Sequence, residues 1–402
     1  MPPRRLRIGI AGLGRAFSIM LPALASEKLQ IVAGADPRPE ARERFRADFK
    51  GNAYATVEEM CADTAVEAVY ISTPHALHRA NVEAAARNAK HILVEKPMAL
   101  TLEDCRAMNA AADAAGVKMV VGHSHSFDLP VRRARDIIAS GAVGELRMIT
   151  SAYFTDFLYR PRRREELDTA RGGGVIYNQA PHQVDVARLL GGGLVRSVRA
   201  NVGAWDASRP TEGAYQALLT FESGATAALT YSGYAHFDGD ELVDWVTEGG
   251  LPKDPARYGA TRKALGAAAS LDEEERLKAH VNYGGEGYAG PQNAAGAGTQ
   301  RFHQHFGLVV ASCTGGDLRP TAKGVHVYAD AERRFEAVPA PQVYRDEVID
   351  ELYDAIVDGA PVVHSGAWGL ATMEVCLAML ASHAEGREVS LNHQIALEGT
   401  TA

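Results

Sequence analysis

From its N-terminus the chain alternates short apolar runs with longer amphipathic stretches. Leu6–Ala11 is apolar, the turn GLGRAF follows, then the helix-like SIMLPALAS, then a second apolar run, QIVAGAD. The alternation continues with a helical stretch over Pro39–Lys50, another beginning at TVEEMCAD, the strand VEAVYISTP, the helix HRANVEAAARNAK and the strand HILVEKP. The helix TLEDCRAMNAAADAAG comes next, with Thr101 suited to its N-cap and Gly116 to its stop, and KMVVGH is the last strand of the series. Apolar runs with helices between them predict a parallel sheet covered on both faces, doubly wound.

Beyond Asp128 the pattern changes. DLPVRRARDIIASG (Asp128–Gly141) predicts a helix entered at Pro130 and stopped at Gly141. ELRMITSAYF, VRSVRANVGAW, AYQALLTFESG and ATAALTYSGY then carry the β-branched and aromatic bias of strands, with connections short enough for a mainly antiparallel open sheet. Gln342–Leu391 is helical and apolar on one face, which assigns it to packing. A chain of 402 residues exceeds what one core usually serves. The expected class is therefore α/β: residues 1–125 form a doubly wound parallel domain, and residues 126–402 a second, α+β domain with the open sheet. Residues 240–298, charged in EEERLKAH and Gly/Ala-rich in YGGEGYAGPQNAAGAGTQ, are expected to be an insertion or loop. There are no internal repeats.

Composition narrows the function. The net charge of −8 argues against a nucleic-acid partner. The four cysteines, Cys61, Cys105, Cys313 and Cys376, are scattered and form no C-x-x-C pair, which argues against a disulfide framework or zinc ribbon. The initial MPPRRLRIGIAGLG reads as strand and turn, not as a signal peptide, and no apolar run nears the ~20 residues of a membrane span. A cytoplasmic protein with no membrane partner is expected.

The first strand–turn–helix carries chemistry. Gly12 permits a tight turn, and Gly14 removes a side chain where a pyrophosphate could approach the helix N-terminus, beside Arg15 and Ala16. The third position of G-x-G-x-x-G holds Phe17. Asp36 ends the second strand, where a carboxylate can bond both hydroxyls of an adenosine ribose and repel a 2′-phosphate. NAD is thus favoured over NADP, a preference that Arg38 softens. Ligands of such sheets bind at the carboxyl ends of strands, where Ser72, Thr73 and Pro74, and then Glu95 and Lys96, fall.

In the second half, GGGVIYNQAPHQVDVARLLGGG (Gly172–Gly193) leads three glycines into an apolar helix carrying Asn178, His182 and Asp185 at intervals that place them on one face. The glycines would let the backbone pass close to a cofactor. Arg160, Arg162, Arg163 and Arg164 precede the triplet; an inward-turned fork among Arg160, Arg164 and Arg171 would suit a carboxylate. His303 and His305 are spaced for one face of a strand; substrate hydrogen bonding is the favoured reading, and no metal is expected.

These blocks, in this order, resemble the Gfo/Idh/MocA family of nicotinamide-dependent oxidoreductases. The likeness runs through RIGIAGLGRAFSIMLPAL, STPHALH, VEKPMALTLEDCRAM, SGAVGELRMI and the glycine triplet to SGAWGLATMEVCLAMLASHAEGREVSL. It implies a Rossmann first domain whose cofactor contacts include Gly12, Gly14, Arg15, Ala16, Asp36, Arg38, Ser72, Thr73, Pro74, His78, Glu95 and Lys96. It places the family's lysine on Lys96 and its helix histidine on His182. Where the family usually has an aspartate, this chain has Asn178, which can hold a hydroxyl but cannot take its proton. GGGVIYNQAPHQVD and FHQHFG further resemble bacterial phthalate cis-dihydrodiol dehydrogenases. The resemblance implies hydride transfer from a carboxylated aromatic cis-dihydrodiol to NAD, giving a catechol, in a homodimer or homotetramer. Lys96, Asn178 and His182 would be catalytic, with Arg160, Arg164, Arg171, His303 and His305 around the substrate. Alternatives are a sugar or inositol dehydrogenase, a lyase or hydrolase using NAD transiently, and a dinucleotide sensor.

Overall fold

The computed structural model describes residues 4–268, 270–288 and 300–397. The chain forms two compact units. The first takes in residues through His123, a segment beginning at Arg276, and Val343–Leu370; the second contains the remainder.

In the first unit, β1 (Leu6–Ala11), β2 (Leu29–Ala35), β3 (Asn52–Tyr54), β4 (Ala68–Ile71), β5 (His91–Val94) and β6 (Met119–Val121) form one parallel sheet, in the order β3-β2-β1-β4-β5-β6. Every residue of β1 except Arg7 is buried, as are all of β4 and β6, which is why these strands read as apolar runs, interrupted in β1 only at Arg7. The strand order reverses between β1 and β4, so the crevice at their carboxyl ends is the position at which such sheets bind ligands. Helix Leu102–Ala115 is capped by Thr101, which accepts from the Asp104 N–H, and ends at Gly116 with φ +64°.

Phe17 stands at the third glycine position of the dinucleotide turn. Its buried ring meets the ring of Tyr283 edge-on, with centroids 4.9 Å apart, and lies 6.1 Å from Phe49. The Tyr283 hydroxyl donates to Asp48 at 2.8 Å. The side chain that breaks the glycine pattern is therefore a packing partner for the segment after Arg276. That segment was expected to be a loop, with the rest of residues 240–298. The structure instead gives helices at Ala260–Gly266 and Leu271–His280; residues 289–298 lie outside the described residues.

The second unit is built on a nine-stranded sheet. Its strands are β7 (Leu146–Phe154), β8 (Val195–Gly203), β9 (Ala214–Phe221), β10 (Thr226–Ser232), β11 (Leu308–Cys313), β12 (Gly316–Thr321), β13 (Gly324–Tyr328), β14 (Arg333–Ala337) and β15 (Val389–Ser390). The order is β14-β13-β12-β11-β7-β10-β9-β8-β15. All pairs are antiparallel except β7 and β10, which run parallel with Thr226 opposite Met148. Helices Leu129–Ala139 and Ala180–Gly191 pack on the sheet. Gln183 joins its helix to the strands: its amide donates to the Ser151 hydroxyl at 2.8 Å and its carbonyl accepts from Tyr215 at 2.8 Å.

Candidate active site and cofactor cradle

In the first unit, the turn after β1 is held by its neighbours. Gly12 has φ +90°, and a Cβ there would lie 2.9 Å from the Thr73 backbone nitrogen, so only glycine fits. The Ser72 hydroxyl donates to the Gly12 carbonyl at 2.8 Å, and Asn81 donates to the Thr73 hydroxyl at 2.8 Å. Gly14 differs: a Cβ there would meet no atom within 4 Å. Nothing in the protein requires glycine at that helix N-terminus, whereas close approach of a phosphate would. Arg15 is exposed and Ala16 half-buried in the first turn of the following helix, and Pro74 is exposed beyond β4.

Asp36 is buried, and its carboxylate accepts from the Leu13 N–H at 2.9 Å and from the Arg38 N–H at 2.9 Å. The Arg38 guanidinium reaches both carboxylate oxygens, at 3.0 and 3.1 Å, and also donates to the Leu13 carbonyl at 2.6 Å. The acid and the arginine thus brace the glycine turn as a pair. These donors, the open face at Gly14 and the acid at the end of β2 fit a dinucleotide.

Past β5, Glu95 is buried and accepts from the Tyr70 hydroxyl at 2.5 Å. Burial raises its pKa, opposed by Arg345, the Tyr70 bond and Lys96. Lys96 is half-buried at this strand end. His78, expected to contact the cofactor, is enclosed instead: Nδ1 lies 3.2 and 3.1 Å from the carbonyls of Pro97 and Met98, and Nε2 lies 3.0 Å from that of Thr73. It ties the β4 end to the β5 end, and burial lowers its pKa.

In the second unit, the glycine triplet has reasons internal to the protein. Gly172 has φ +82°, and a Cβ on Gly173 would lie 2.7 Å from the backbone of Glu166 and Asp168. Gly174 has φ +73°, and a Cβ there would lie 2.0 Å from Oε1 of Glu212. That carboxylate accepts from the Ile176 N–H at 3.1 Å and from the hydroxyls of Thr211, at 3.0 Å, and Thr169. The glycines therefore make room for a carboxylate that pins the start of the helical segment.

The expectation that Asn178, His182 and Asp185 lie along one helix is corrected. One helix ends at Asn178 and the next begins at Ala180, with Gln179 between them at φ −121°, ψ −41°. The Asn178 amide donates to the carbonyls of Gly172, at 3.2 Å, and Gly174, at 2.7 Å. Asp185 accepts from the hydroxyls of Ser126 and of Thr372, the latter at 3.0 Å. It thereby anchors the turn that carries His125.

His125 is the residue that sequence reasoning missed. It is buried; Nδ1 lies 2.7 Å from Asp128 Oδ2, and Nε2 lies 3.9 Å from Glu248 Oε1. Its ring centroid is 4.8 Å from that of His182, and Phe306 lies against both, at 5.4 and 5.2 Å. Burial opposes charging of His125, but Asp128 and Glu248 outweigh it and raise the pKa. The available signal was the spacing of H-S-H-S-F-D, which places a carboxylate three residues after a histidine.

The five candidate cations and histidines around the substrate separate. Arg160 is half-buried, with Nη1 4.0 Å from Glu248 and Nε 3.7 Å from Asp156. It lines a cleft with walls from Tyr153, Phe237, Tyr258, Lys253 and Arg262. Lys253 is neutralised by Asp238 and Asp240, each at 2.7 Å. Arg164 turns outward to Asp272 and Glu275, and Arg171 is exposed. The histidine pair is also corrected: His303 Nε2 lies 2.7 Å from the Pro339 carbonyl, whereas His305 Nε2 lies 2.8 Å from that of Val246 and its Nδ1 accepts from the Gly307 N–H at 3.0 Å. Each ring braces a different backbone segment, so the two form no shared half-site. Among the described residues, no helix is long and apolar enough to cross a membrane.

Known proteins agree with this architecture. Residues 6–123 match the oxidoreductase family with NAD-binding Rossmann fold, and residues 131–251 match the GFO/IDH/MocA C-terminal domain. The chain is 47% identical over 380 residues to the 1-carboxy-3-chloro-3,4-dihydroxycyclohexa-1,5-diene dehydrogenase of Comamonas testosteroni, covering 93% of this chain and 94% of that one. It is 26% identical to the inositol 2-dehydrogenase of Rhizobium meliloti (strain 1021), covering 96% of this chain and 99% of the other. A solved structure from Bordetella bronchiseptica RB50, assigned as a dehydrogenase, superposes with a TM-score of 0.89 at 42% identity, over 96% of this chain and 100% of its own. The chain belongs to the Gfo/Idh/MocA family of NAD(P)-dependent oxidoreductases.

Proposed function

We propose that the protein oxidises a carboxylated cyclohexadiene cis-diol, using NAD as the hydride acceptor. The observation that carries this reading is the arrangement His182–His125–Glu248–Arg160: a buried imidazole pair able to take a proton, joined through one carboxylate to a cation able to hold a substrate carboxylate. Similarity to the Comamonas testosteroni enzyme, whose name specifies a carboxylated ring diol, supports the same substrate class.

NAD would be held by the backbone around Gly12 and Gly14, by Asp36 on the adenosine ribose, and by residues at the ends of β4 and β5. His182 takes the proton of the hydroxyl whose carbon loses hydride, and Glu248, whose carboxylate lies within 4.8 Å of both imidazoles, offsets the positive charge, with His125 oriented by Asp128. In the family pattern that this chain matches, Lys96 would donate to a substrate hydroxyl. Asn178 keeps the glycine turn in shape and so positions His182. Phe306, Tyr153 and Tyr231 wall off water from the imidazoles. A bound nicotinamide would supply the acceptor for the hydride while His182 takes the proton; the hydroxy-dienone so formed would tautomerise to a catechol, and aromatisation would draw the reaction forward.

Asp36 favours NAD over NADP, because a second anion would meet a carboxylate there and Arg38 is already engaged by it. Met148, Leu218 and Phe335 lie on one face of the nine-stranded sheet by its strand register and are 47%, 47% and 44% exposed. A second copy of the chain would cover that face, giving a homodimer or homotetramer, which light scattering would read directly. The test of the activity is NAD reduction with purified protein, comparing carboxylated cis-diols with uncarboxylated ones. The relation to an inositol 2-dehydrogenase makes polyol oxidation the second reading. Turnover of inositol but not of carboxylated diols would establish it.

A further inference from the structure

Three side chains from separate parts of the second unit converge where the proton is expected to move. His125 comes from the turn before helix Leu129–Ala139, His182 from helix Ala180–Gly191, and Glu248 from the turn closed by the Val246–Pro252 bridge. One ligand-type atom from each lies within 4.8 Å of the other two. Two imidazoles and one carboxylate form the donor set that favours a borderline divalent ion of the zinc class over magnesium or calcium, which take oxygen ligands.

A second, independent feature points the same way. The outer nitrogen of His125 is held by Asp128 at 2.7 Å. A carboxylate on the far side of a ligating imidazole fixes its tautomer and raises its basicity, as around bound zinc. Arg160, 4.0 Å from Glu248, gives the third ligand a partner on its outer side. Both histidines are buried, whereas Glu248 is 27% exposed by side chain. The carboxylate therefore has room to adjust towards an ion held by the two imidazoles.

We propose that His125, His182 and Glu248 form a binding site for a divalent transition-metal ion, and that the bound ion blocks diol oxidation by occupying the imidazoles that would take the proton. Three protein ligands leave a fourth position of a tetrahedral site for water or a substrate hydroxyl. The site itself stands on geometry alone; its inhibitory consequence rests on the function proposed above.

The test titrates the chelator-treated, dialysed full chain with Co2+ and reads the visible absorption of the bound ion, then displaces it with Zn2+. One equivalent is expected. His125→Ala and His182→Ala should each weaken binding at least 100-fold, Asp128→Asn about 10- to 100-fold, and the exposed His383→Ala not at all. Glu248→Gln, at a half-exposed position, guards against loss of binding through misfolding and should also weaken it at least tenfold. No saturable Co2+ binding, or equal affinity in His125→Ala and His182→Ala to the parent, would overturn the site. In parallel, Zn2+ should abolish NAD reduction by a carboxylated cis-diol, and chelator should restore it. Stoichiometric zinc binding with full turnover would overturn the inhibitory role. Absence of turnover with any diol before zinc is added would remove the proposed function, while the cobalt titration would still decide the site.

Discussion

Asp128 and His125 form a buried pair, with Oδ2 2.7 Å from Nδ1. The carboxylate determines which ring nitrogen carries a proton and leaves Nε2 directed toward Glu248 and the neighbouring His182. Asp128→Asn should therefore keep the side-chain volume but lose the orientation and the charge. Turnover of the diol is expected to fall by about 100-fold or more, with NAD affinity unchanged. Initial rates beside a fluorescence titration of NAD check this, and a near-normal rate would remove His125 from the mechanism.

Arg160 and Arg164 sit four residues apart but in different surroundings, the first at the cavity beside Glu248 and the second on the surface against Asp272. Arg160→Ala should lower kcat/KM for a carboxylated diol by roughly 10- to 100-fold, the loss of a charge-assisted hydrogen bond, and leave an uncarboxylated diol little affected. Arg164→Ala and Arg171→Ala should match the parent. Equal losses on both diols in Arg160→Ala would contradict a carboxylate-binding role.

The pair of Asp36 and Arg38 gives a third expectation. Asp36→Ala removes the acceptor of the Leu13 N–H and releases a guanidinium beside the expected ribose site. NAD should bind about tenfold or more weakly, and the preference for NAD over NADP should narrow or invert. Parallel Kd measurements with both nucleotides test it; unchanged affinity for NAD would mean that Asp36 only braces the turn.

Much of the first unit was legible because its signals are local. Buried parallel strands show as apolar runs, and a turn flanked by strand and helix confines Gly12, Gly14 and Asp36 to a known geometry. The second unit was less legible because its decisive contacts join distant segments. His125 and His182 meet although 57 positions separate their numbers, and Glu248 arrives from a stretch whose composition suggested a loop. The spacing of Asn178 and His182 suggested one continuous helix, but Gln179 leaves helical geometry between them. His303 and His305 show the opposite failure: alternation suggested a shared face, yet each ring bonds a different backbone carbonyl, of Pro339 and of Val246. Strands β11 to β14 were missed for two reasons: β12 (GDLRPT) and β14 (RRFEA) mix charged residues into short runs, whereas β11 (LVVASC) and β13 (GVHVY) are apolar but too short to stand out alone.

Two glycines separate a structural need from a ligand's need. Gly174→Ala would force a left-handed backbone and a clash with Glu212, costing about 1–3 kcal/mol from the backbone alone, so thermal unfolding should move to lower temperature. Gly14→Ala meets open space, so the unfolding temperature should hold while NAD affinity falls. A stable Gly174→Ala variant would contradict the packing described for the triplet, and undiminished NAD binding by Gly14→Ala would contradict close approach of the pyrophosphate.

The most direct test of the central claim is nicotinamide reduction by the purified chain, with a carboxylated cyclohexadiene cis-diol, its uncarboxylated counterpart and inositol assayed in parallel with NAD and NADP. The account predicts turnover with the carboxylated diol and NAD, with a catechol as product. Turnover confined to inositol, or none with any diol despite bound NAD, would contradict it.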